Sequence, residues 1–318
     1  MNKGLIPGLT FAAAFVLAPA SAFATDVQGT APEARSETAV AASAVEGAPT
    51  DAPTVVFLTR EEHEKASARR ALARPSPNMS WHGGEIMVSS VVESIFWGPS
   101  WNSGSFSGDK VTGLDTFYGG FGGSNYAGTN TEYTGSNGRV SRVSAFGGHH
   151  LDFTTATGGS KTAPILAEVC KLITNPVANG YYPVYTDVPR GRARFCAWHS
   201  WGSCGSPAVP VQFAFFFNLD GDAGCDPDDQ TTAHSQGLAA LANVSGHELS
   251  EAMTDPRGSG WFDSSGAENA DKCAWTFGAD VLTLSNGSQF KIQGNWSNAA
   301  YNAVPQGGYT KGGCIGTQ

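Results

Sequence analysis

Apolar residues recur at helical spacing in two stretches of the chain. Residues 162–174 carry their apolar side chains on one face, which predicts an amphipathic helix that packs on a sheet. A longer helix is predicted over residues 232–254, where the pattern stops at Asp255-Pro256. A third, charged helix is predicted from residue 59 to about residue 74, because its acidic residues come early and its arginines late, as suits the helix dipole.

Other apolar stretches have the character of β-strands. Residues 85–97 and 181–188 predict strands, and the continuous apolar run 209–217 is typical of a strand buried on both faces. Residues 98–148 are dominated by Gly, Ser, Asn and Thr, with aromatic residues between them. We interpret this segment as long loops anchored by aromatic side chains; the alternative is that the aromatic residues line a cleft for sugar or peptide. The sequence therefore predicts an α+β fold: one domain, with a mixed β-sheet, a long helix behind it and Gly-rich loops.

The N-terminal quarter of the chain differs in composition from the rest. Its apolar stretch Leu5–Leu17, followed by Ala22-Phe23-Ala24, predicts a signal peptide over residues 1–24, since it is too short for a membrane anchor. Residues 25–78 are predicted to be a disordered leader with a short charged helix, dispensable for folding. The alternative is a pro-segment that covers a site until it is removed. The folded domain is predicted over 79–318, in an exported protein that is extracellular or periplasmic.

The six cysteines all follow the predicted signal peptide. An even number of cysteines in an exported chain predicts three disulfides, and the absence of paired CxxC motifs argues against a thiolate zinc site. Sequence alone allows 15 pairings. The pairs we predict are Cys273–Cys314, Cys196–Cys204 and Cys170–Cys225.

The charge of the chain limits the kinds of partner it can bind. Removal of the signal peptide takes away only Lys3, which leaves 18 basic and 28 acidic side chains and a net charge of −10. An acidic surface argues against nucleic acid and against anionic membranes as partners. Oligomeric state cannot be deduced from the sequence.

The segment His247-Glu248-Leu249-Ser250-Glu251 lies near the end of the long predicted helix. Residues four apart share one helix face, so His247 and Glu251 can bind one cation together. Glu248 can then act as the general base that deprotonates water activated by the metal. This is the geometry of a zincin helix with glutamate in place of the second histidine. The alternative is a partly buried histidine hydrogen-bonded to Glu251, with Glu248 solvated.

Acidic residues downstream supply candidates for the third metal ligand. Glu268 is the first candidate, because zincins of the glutamate type use such a downstream glutamate, and Asp271 could then orient His247 from outside the ligand shell. Asp255, two turns after His247, is the competing ligand, although it could simply end the helix before Pro256. The predicted cofactor is one divalent cation. Zinc is preferred, and calcium is the variant because most of these groups are oxygen ligands.

His199 is a further candidate for the site. It follows Trp198 and lies near Cys196 in the sequence. It could stabilise an oxyanion or supply a metal ligand, and the alternative is a hydrogen-bonded histidine in a loop fixed by a disulfide.

Several motifs follow one another as in a known family of secreted proteins. They are WHGG (81–84), IFWG (95–98), FC-WH (195–199), HELSEAMTDP (247–256), GWFD (260–263), ENADKCAW (268–275) and QGNW (293–296). In these motifs, from about Trp81 to Cys314, the chain resembles the EXORDIUM or phosphate-induced protein family. The resemblance implies a secreted or cell-wall-associated protein and groups His247, Glu248, Glu251, Asp255, Glu268 and Asp271 into one unit. The chain departs from the family in its Ala-rich leader and in the loop around Cys204.

Two functions are compatible with these observations. The first is a secreted metal-dependent hydrolase, a metallopeptidase with Glu248 as general base. The second is a non-catalytic secreted protein that binds cell-wall polysaccharide or a receptor and in which the acidic cluster is structural. The partner is accordingly a peptide or a cell-wall polysaccharide.

Overall fold

The computed structural model describes residues 1, 51–53, 55–73, 77–278, 281–303 and 312–316. All of these except Met1 belong to one compact unit, residues 44–318. The predicted signal peptide beyond Met1 and the leader up to residue 50 lie outside the described residues. The helices are α1 (Arg60–Ala73), α2 (Gly104–Ser107), α3 (Lys110–Phe121), α4 (Asn125–Gly128), α5 (Thr162–Leu172), α6 (Gln236–Thr254) and α7 (Asn298–Ala303).

Six of the strands form one mixed sheet. Its order is β1-β8-β9-β7-β3-β6, in which β9, β7, β3 and β6 are parallel while β8 and β1 pair antiparallel with their neighbours. Eight short strands form two-stranded ladders outside this sheet. The strands are β1 (Phe57–Leu58), β2 (Ser80–Trp81), β3 (Ser90–Trp97), β4 (Thr134–Gly135), β5 (Gly138–Arg139), β6 (Ser144–Asp152), β7 (Gly180–Pro189), β8 (Phe195–Cys204), β9 (Val209–Asn218), β10 (Trp261–Phe262), β11 (Leu282–Thr283), β12 (Gln289–Phe290), β13 (Asn295–Trp296) and β14 (Cys314–Ile315).

The α+β class and the mixed sheet are confirmed. Helices α5 and α6 contact the same part of the sheet through different side chains of β8. Trp198 donates its indole hydrogen to Gly159 O at 2.7 Å, just before α5, whereas the next residue, His199, reaches Glu248 on α6. This alternation is expected for a strand covered on both faces, and it directs one histidine of β8 at the candidate metal helix.

Two of the sequence predictions are wrong in detail. Residues 98–148 are not long loops, because they contain α2, α3 and α4, and their aromatic residues Phe117, Tyr118 and Phe121 are fully buried in the core. The glycines and threonines of α3 hid its helical spacing, since both residue types have low helix propensity. The predicted strand at 85–97 begins only at Ser90.

The three disulfides are Cys170–Cys204, Cys196–Cys225 and Cys273–Cys314. The last pair is as predicted, but the other two predicted pairs are wrong. Cys196 and Cys204 lie at opposite ends of the extended strand β8, about 26 Å apart at about 3.3 Å per residue, and a disulfide needs Cα atoms within about 7 Å. Three disulfides indicate an oxidising environment.

Residues 55–73 pack against the domain. Phe57 and Leu58 form β1 at the edge of the main sheet, and the Phe57 side chain is fully buried. The predicted charged helix is present as α1. Ordered contacts therefore begin before residue 79, where the predicted folded domain starts. In the described part of the chain, no helix has the length and apolar character needed to cross a membrane.

Candidate metal centre

Helix α6 positions the candidate site. Ser235 caps its N-terminus, where the hydroxyl accepts a hydrogen bond from Leu238 N at 3.1 Å. Every residue from Gly237 to Thr254 is buried, including its polar residues. Most of those have ordinary partners: Ser245 bonds to the Tyr185 hydroxyl at 2.6 Å, and Ser250 accepts from Asn295 Nδ2 at 2.9 Å.

The charged residues of α6 are compensated differently. His247, Glu248 and Glu251 are fully buried, and they meet His199 from β8 and Glu268 and Asp271 from the loop after α6. We refer to these six residues as the His/Glu cluster. Four of its buried polar atoms have no hydrogen-bond partner among the described residues: His247 Nε2, Glu248 Oε1, Glu251 Oε2 and Glu268 Oε2. Buried polar groups are rarely left unpaired in native proteins, so these atoms indicate a missing partner.

Two sets of three residues have potential ligand atoms within 4.8 Å of one another. The first set is His247, Glu251 and Asp271, and the second is His199, Glu248 and Glu251. Glu251 belongs to both. In the first set, His247 Nε2 lies 3.1 Å from Glu251 Oε1 and 3.8 Å from Asp271 Oδ1. The cluster therefore has the composition and spacing to hold a metal ion.

The two histidines differ in how their ring nitrogens are satisfied. His199 Nδ1 is hydrogen-bonded to Glu248 Oε2 at 3.0 Å. His247 Nε2 makes no hydrogen bond, because the nearby Glu251 oxygen is off the line of the ring N–H. Once Nε2 has lost its proton, a cation in front of His247 would satisfy that nitrogen, whereas His199 already has the partner expected of an acid–base pair.

The other nitrogen of His247 faces Gln293. Gln293 Nε2 lies 2.9 Å from His247 Nδ1 and donates to Ala270 O at 3.0 Å, while its Oε1 accepts from Trp275 N at 3.2 Å. These two backbone groups fix the orientation of the amide, so His247 Nδ1 accepts a hydrogen bond and the proton of the neutral ring lies on Nε2. Metal binding at Nε2 thus requires the proton to move to Nδ1 and the Gln293 amide to turn, which gives up its hydrogen bonds with Ala270 O and Trp275 N.

Burial shifts the pKa of each carboxyl group in the same direction. It raises the pKa of Glu248 to about 8 and of Asp271 to about 7, and it raises those of Glu251 and Glu268 well above their usual range. Neighbouring carboxylates add to the shift in Glu251 and Glu268. The same burial lowers the pKa of His247. The cluster therefore favours neutral groups unless a cation offsets their charge.

Asp255, the competing candidate for the third ligand, lies at the end of α6. Its carboxylate accepts a hydrogen bond from Gly260 N at 2.7 Å and is stabilised by the backbone at Ser259 and Gly258. It belongs to neither of the ligand sets. These contacts fit the alternative considered from sequence, in which Asp255 ends α6 and holds the following loop.

Glu268 and Asp271 both lie in the cluster, but Asp271 rather than Glu268 is the one near His247. Asp271 has an oxygen near His247 Nε2, and its backbone N–H donates to Glu251 Oε1 at 2.8 Å. Glu268 instead lies near His199, with Oε2 3.7 Å from His199 Nε2. Asp271 begins the short helical turn Asp271–Cys273.

Sequence reasoning missed two contributors to the site. Gln293 appeared in the QGNW motif, but nothing in the motif placed it against His247. Phe57 lay in the segment expected to be disordered, yet its ring centroid is 4.2 Å from that of His247. One feature of the sequence could have indicated that this segment packs on the domain. Phe57 is a large apolar residue beside Val55, Val56 and Leu58, in a leader that is otherwise polar.

Comparison with known proteins gives no relative from which a role could be transferred, since no family model, curated protein or solved structure matches the chain.

Proposed function

We propose that the protein is a secreted metal-dependent hydrolase that cleaves peptide bonds. Its metal would be held by His247, Glu251 and Asp271, with Glu248 as the general base. One observation carries the proposal: the unpaired, buried Nε2 of His247 faces oxygens of both acidic residues within 4 Å. Three protein ligands leave a fourth position for water or substrate, as in catalytic zinc sites. The Asp271 side chain is 19% exposed, so the cluster approaches solvent at this ligand.

The choice of cation follows from the ligand types. An imidazole with two carboxylates suits zinc, whereas calcium takes six to eight oxygen ligands. We therefore propose zinc, and calcium is the competing ion to be tested.

The residues around the metal position supply the remaining chemistry. A bound cation would polarise the scissile carbonyl and lower the pKa of water. Glu248 would accept a proton from the attacking water as the new C–O bond forms, and would deliver it to the amine nitrogen as the C–N bond breaks. His199, bonded to Glu248 at 3.0 Å, is positioned to orient that carboxylate and to stabilise charge on the carbonyl oxygen.

The competing ligand set uses His199, Glu248 and Glu251. It has one favourable feature: Glu268 lies beside the second ring nitrogen of His199, and metal-bound histidines usually donate that hydrogen to an acceptor. We rank it second because His199 Nδ1 is already satisfied by Glu248 whereas His247 Nε2 is not.

A non-catalytic function is favoured by a different observation. His199 is only 6% exposed and Glu248 is fully buried, with β1 lying over the site. A metal that remains covered would serve stability, and the protein would then act by binding cell-wall polysaccharide or a receptor.

Secretion is part of the proposal. The predicted signal peptide and the three disulfides support an extracellular or periplasmic location, where peptides or cell-wall polysaccharides are available as substrates.

The test compares wild type with Glu248→Gln and His247→Ala, and uses Glu168→Gln as a control at a buried carboxyl group outside the cluster. We expect about one zinc per chain in wild type and Glu248→Gln, and none in His247→Ala, by elemental analysis of folded protein. Activity is measured with peptide and glycan libraries, both on the intact protein and after a protease has cleaved the chain ahead of residue 77. Relative to wild type, Glu248→Gln should lower kcat by about 10²–10⁴-fold.

The outcomes separate the alternatives. Metal-free, folded wild type would eliminate the site. Metal loss in His199→Ala and Glu248→Gln, with retention in His247→Ala, would establish the competing ligand set. Bound metal without turnover of any substrate would favour the non-catalytic function.

A further inference from the structure

We infer that the outer edge of β8 is the binding site for an extended peptide, and that residues 55–73 occupy it as a removable inhibitory segment. The inference rests on the proposed function for its substrate, but it concerns a separate surface. Without β1, strand β8 would be the edge of the main sheet. An exposed strand edge binds extended peptides through main-chain hydrogen bonds, while side-chain pockets supply specificity.

The pairing of β1 with β8 is short and antiparallel. Phe57 lies opposite Ala197, and Leu58 lies opposite Phe195, with an irregularity between them. The chain then continues with Thr59 N donating to Arg194 O at 3.0 Å. His199 lies two residues beyond Ala197 along the same strand, so a peptide bound in this register passes directly over the His/Glu cluster.

Phe57 fills a pocket at the cluster. Its ring stacks on Trp275 at 4.9 Å between centroids and packs on His247 at 4.2 Å. The Trp275 indole donates to Leu58 O at 3.1 Å, which holds the backbone of β1 from the side opposite β8. One aromatic side chain thus contacts a proposed metal ligand, and its main chain is held in place by Trp275.

Trp275 itself is held in an unusual conformation. Its φ of 60° lies in the left-handed region, which a bulky side chain rarely adopts. Such strain persists only where surrounding contacts enforce it, and it is common at ligand-binding sites. Here it directs the indole at the occupant of the β8 edge.

Helix α1 adds little apolar attachment. Among its 14 residues, the only apolar residue larger than alanine is Leu72, and the rest are charged, polar or alanine. At the start of the helix, Arg60 N donates to Gly224 O at 3.0 Å, and the Arg60 guanidinium lies over the Trp275 ring. A segment held by one aromatic anchor, a two-residue ladder and a few hydrogen bonds can be displaced after cleavage. The peptide that replaces it should be extended and carry a large aromatic side chain at the position of Phe57.

The experiment uses the full chain with a recognition sequence for a specific protease inserted between Ala73 and Pro77. After cleavage, the released segment is removed, and a labelled peptide with the sequence of residues 54–60 is titrated by fluorescence anisotropy. We expect binding to the cleaved protein and none to the intact protein. The same peptide with alanine in place of Phe57 should bind at least about tenfold more weakly, because buried aromatic anchors dominate such interfaces.

A second variant covers the case in which the cleaved protein fails to fold. In the intact chain, Phe57→Ala should allow the labelled peptide to bind, whereas Glu64→Ala, an exposed change on α1, should not. If neither the cleaved protein nor Phe57→Ala binds the peptide, the inference is wrong. Peptide binding without hydrolysis of any substrate would support the β8 site and count against the hydrolase, so the two proposals fail separately.

Discussion

Two buried carboxylates, Asp263 and Glu268, lie five residues apart in the segment after α6, and they are compensated in opposite ways. Asp263 is 2% exposed and receives hydrogen bonds from Lys272 Nζ at 2.7 Å, from Ser265 N at 2.8 Å and from the Ser265 hydroxyl. These donors lower its pKa in spite of burial. Glu268, equally buried, has an unpaired oxygen and a pKa well above its usual range.

The difference shows what the fold does when a buried carboxylate serves structure alone. It supplies a lysine and several hydrogen-bond donors, because an uncompensated buried charge is costly. In the His/Glu cluster the nitrogen atoms at ion-pair distance from the carboxylates come from histidines, and several oxygens are left unpaired. The compensation missing from this region is what a divalent cation would provide.

The largest effect on stability should come from disturbing the compensated pair. Asp263→Asn leaves Lys272 buried without its counterion, which should reduce the free energy of unfolding by about 3–5 kcal/mol. Glu268→Gln in metal-free protein should change it by less than about 1 kcal/mol, because the glutamate is already favoured as a neutral group. Urea denaturation in the presence of a chelator measures both. Equal losses in the two variants would mean that the two regions do not differ in their compensation.

A change at Gln293 should sharpen the comparison by testing what the cluster needs in order to bind metal. In the metal-bound state the Gln293 oxygen is expected to accept the proton on His247 Nδ1. Gln293→Leu should therefore weaken metal affinity by about 10–100-fold, as is typical when the hydrogen-bond partner of a ligating histidine is lost. Gln293→Glu should retain or strengthen binding. Competition with a zinc-binding dye measures the affinity.

Gln212→Leu is a matched control for this change, since Gln212 is a buried glutamine on β9 whose side chain belongs to neither ligand set. Unchanged affinity in Gln293→Leu would remove His247 from the ligand shell and favour the set that contains His199.

The sequence could predict only those contacts of the cluster that join residues close to each other along the chain. The proximity of His247 to Glu251 follows from helical spacing and is found in the structure at 3.1 Å. The contributions of Asp271, His199 and Gln293 depend on how a loop, a strand and the C-terminal segment pack on α6. Spacing along the chain does not encode such long-range contacts, so the order of Glu268 and Asp271 could not be deduced from it.

The same distinction applies to the fold. Helices α5 and α6 and strands β7 and β9 were predicted because each has a strong apolar period or run of its own. Strand β8 was not predicted, because its sequence FCAWHSWGSC mixes polar and aromatic residues and its two faces contact different helices. Strand β1 has only two residues and gains its stability from contacts with Trp275 and β8, which a reading of the local sequence cannot reveal.

The smallest expected effect concerns Glu168, a carboxyl group whose charge is compensated less fully than that of Asp263 but more fully than that of Glu268. Glu168 is 5% exposed, and burial together with Asp152 raises its pKa to about 7, although Lys171 lies 3.1 Å away and opposes the shift. Lys171 is half-exposed and also pairs with Asp152, so it compensates Glu168 only in part. These two groups are the charged neighbours that face Glu168.

The sign of the pH dependence follows from proton binding. The unfolded chain releases the Glu168 proton near pH 4.5, while the folded protein keeps it until about pH 7. The folded state therefore binds more protons between these values, and the stability due to Glu168 is complete at low pH and is lost as the pH rises to about 7. Glu168→Gln keeps a neutral group that can still donate to Asp152, and it should become more stable than wild type by up to about 2 kcal/mol at pH 8, with no advantage at pH 4. Urea unfolding of both proteins from pH 4 to pH 8 tests the prediction. If the free energy of unfolding changed with pH in the same way in both proteins, Lys171 would compensate Glu168 fully. Glu168 would then resemble Asp263.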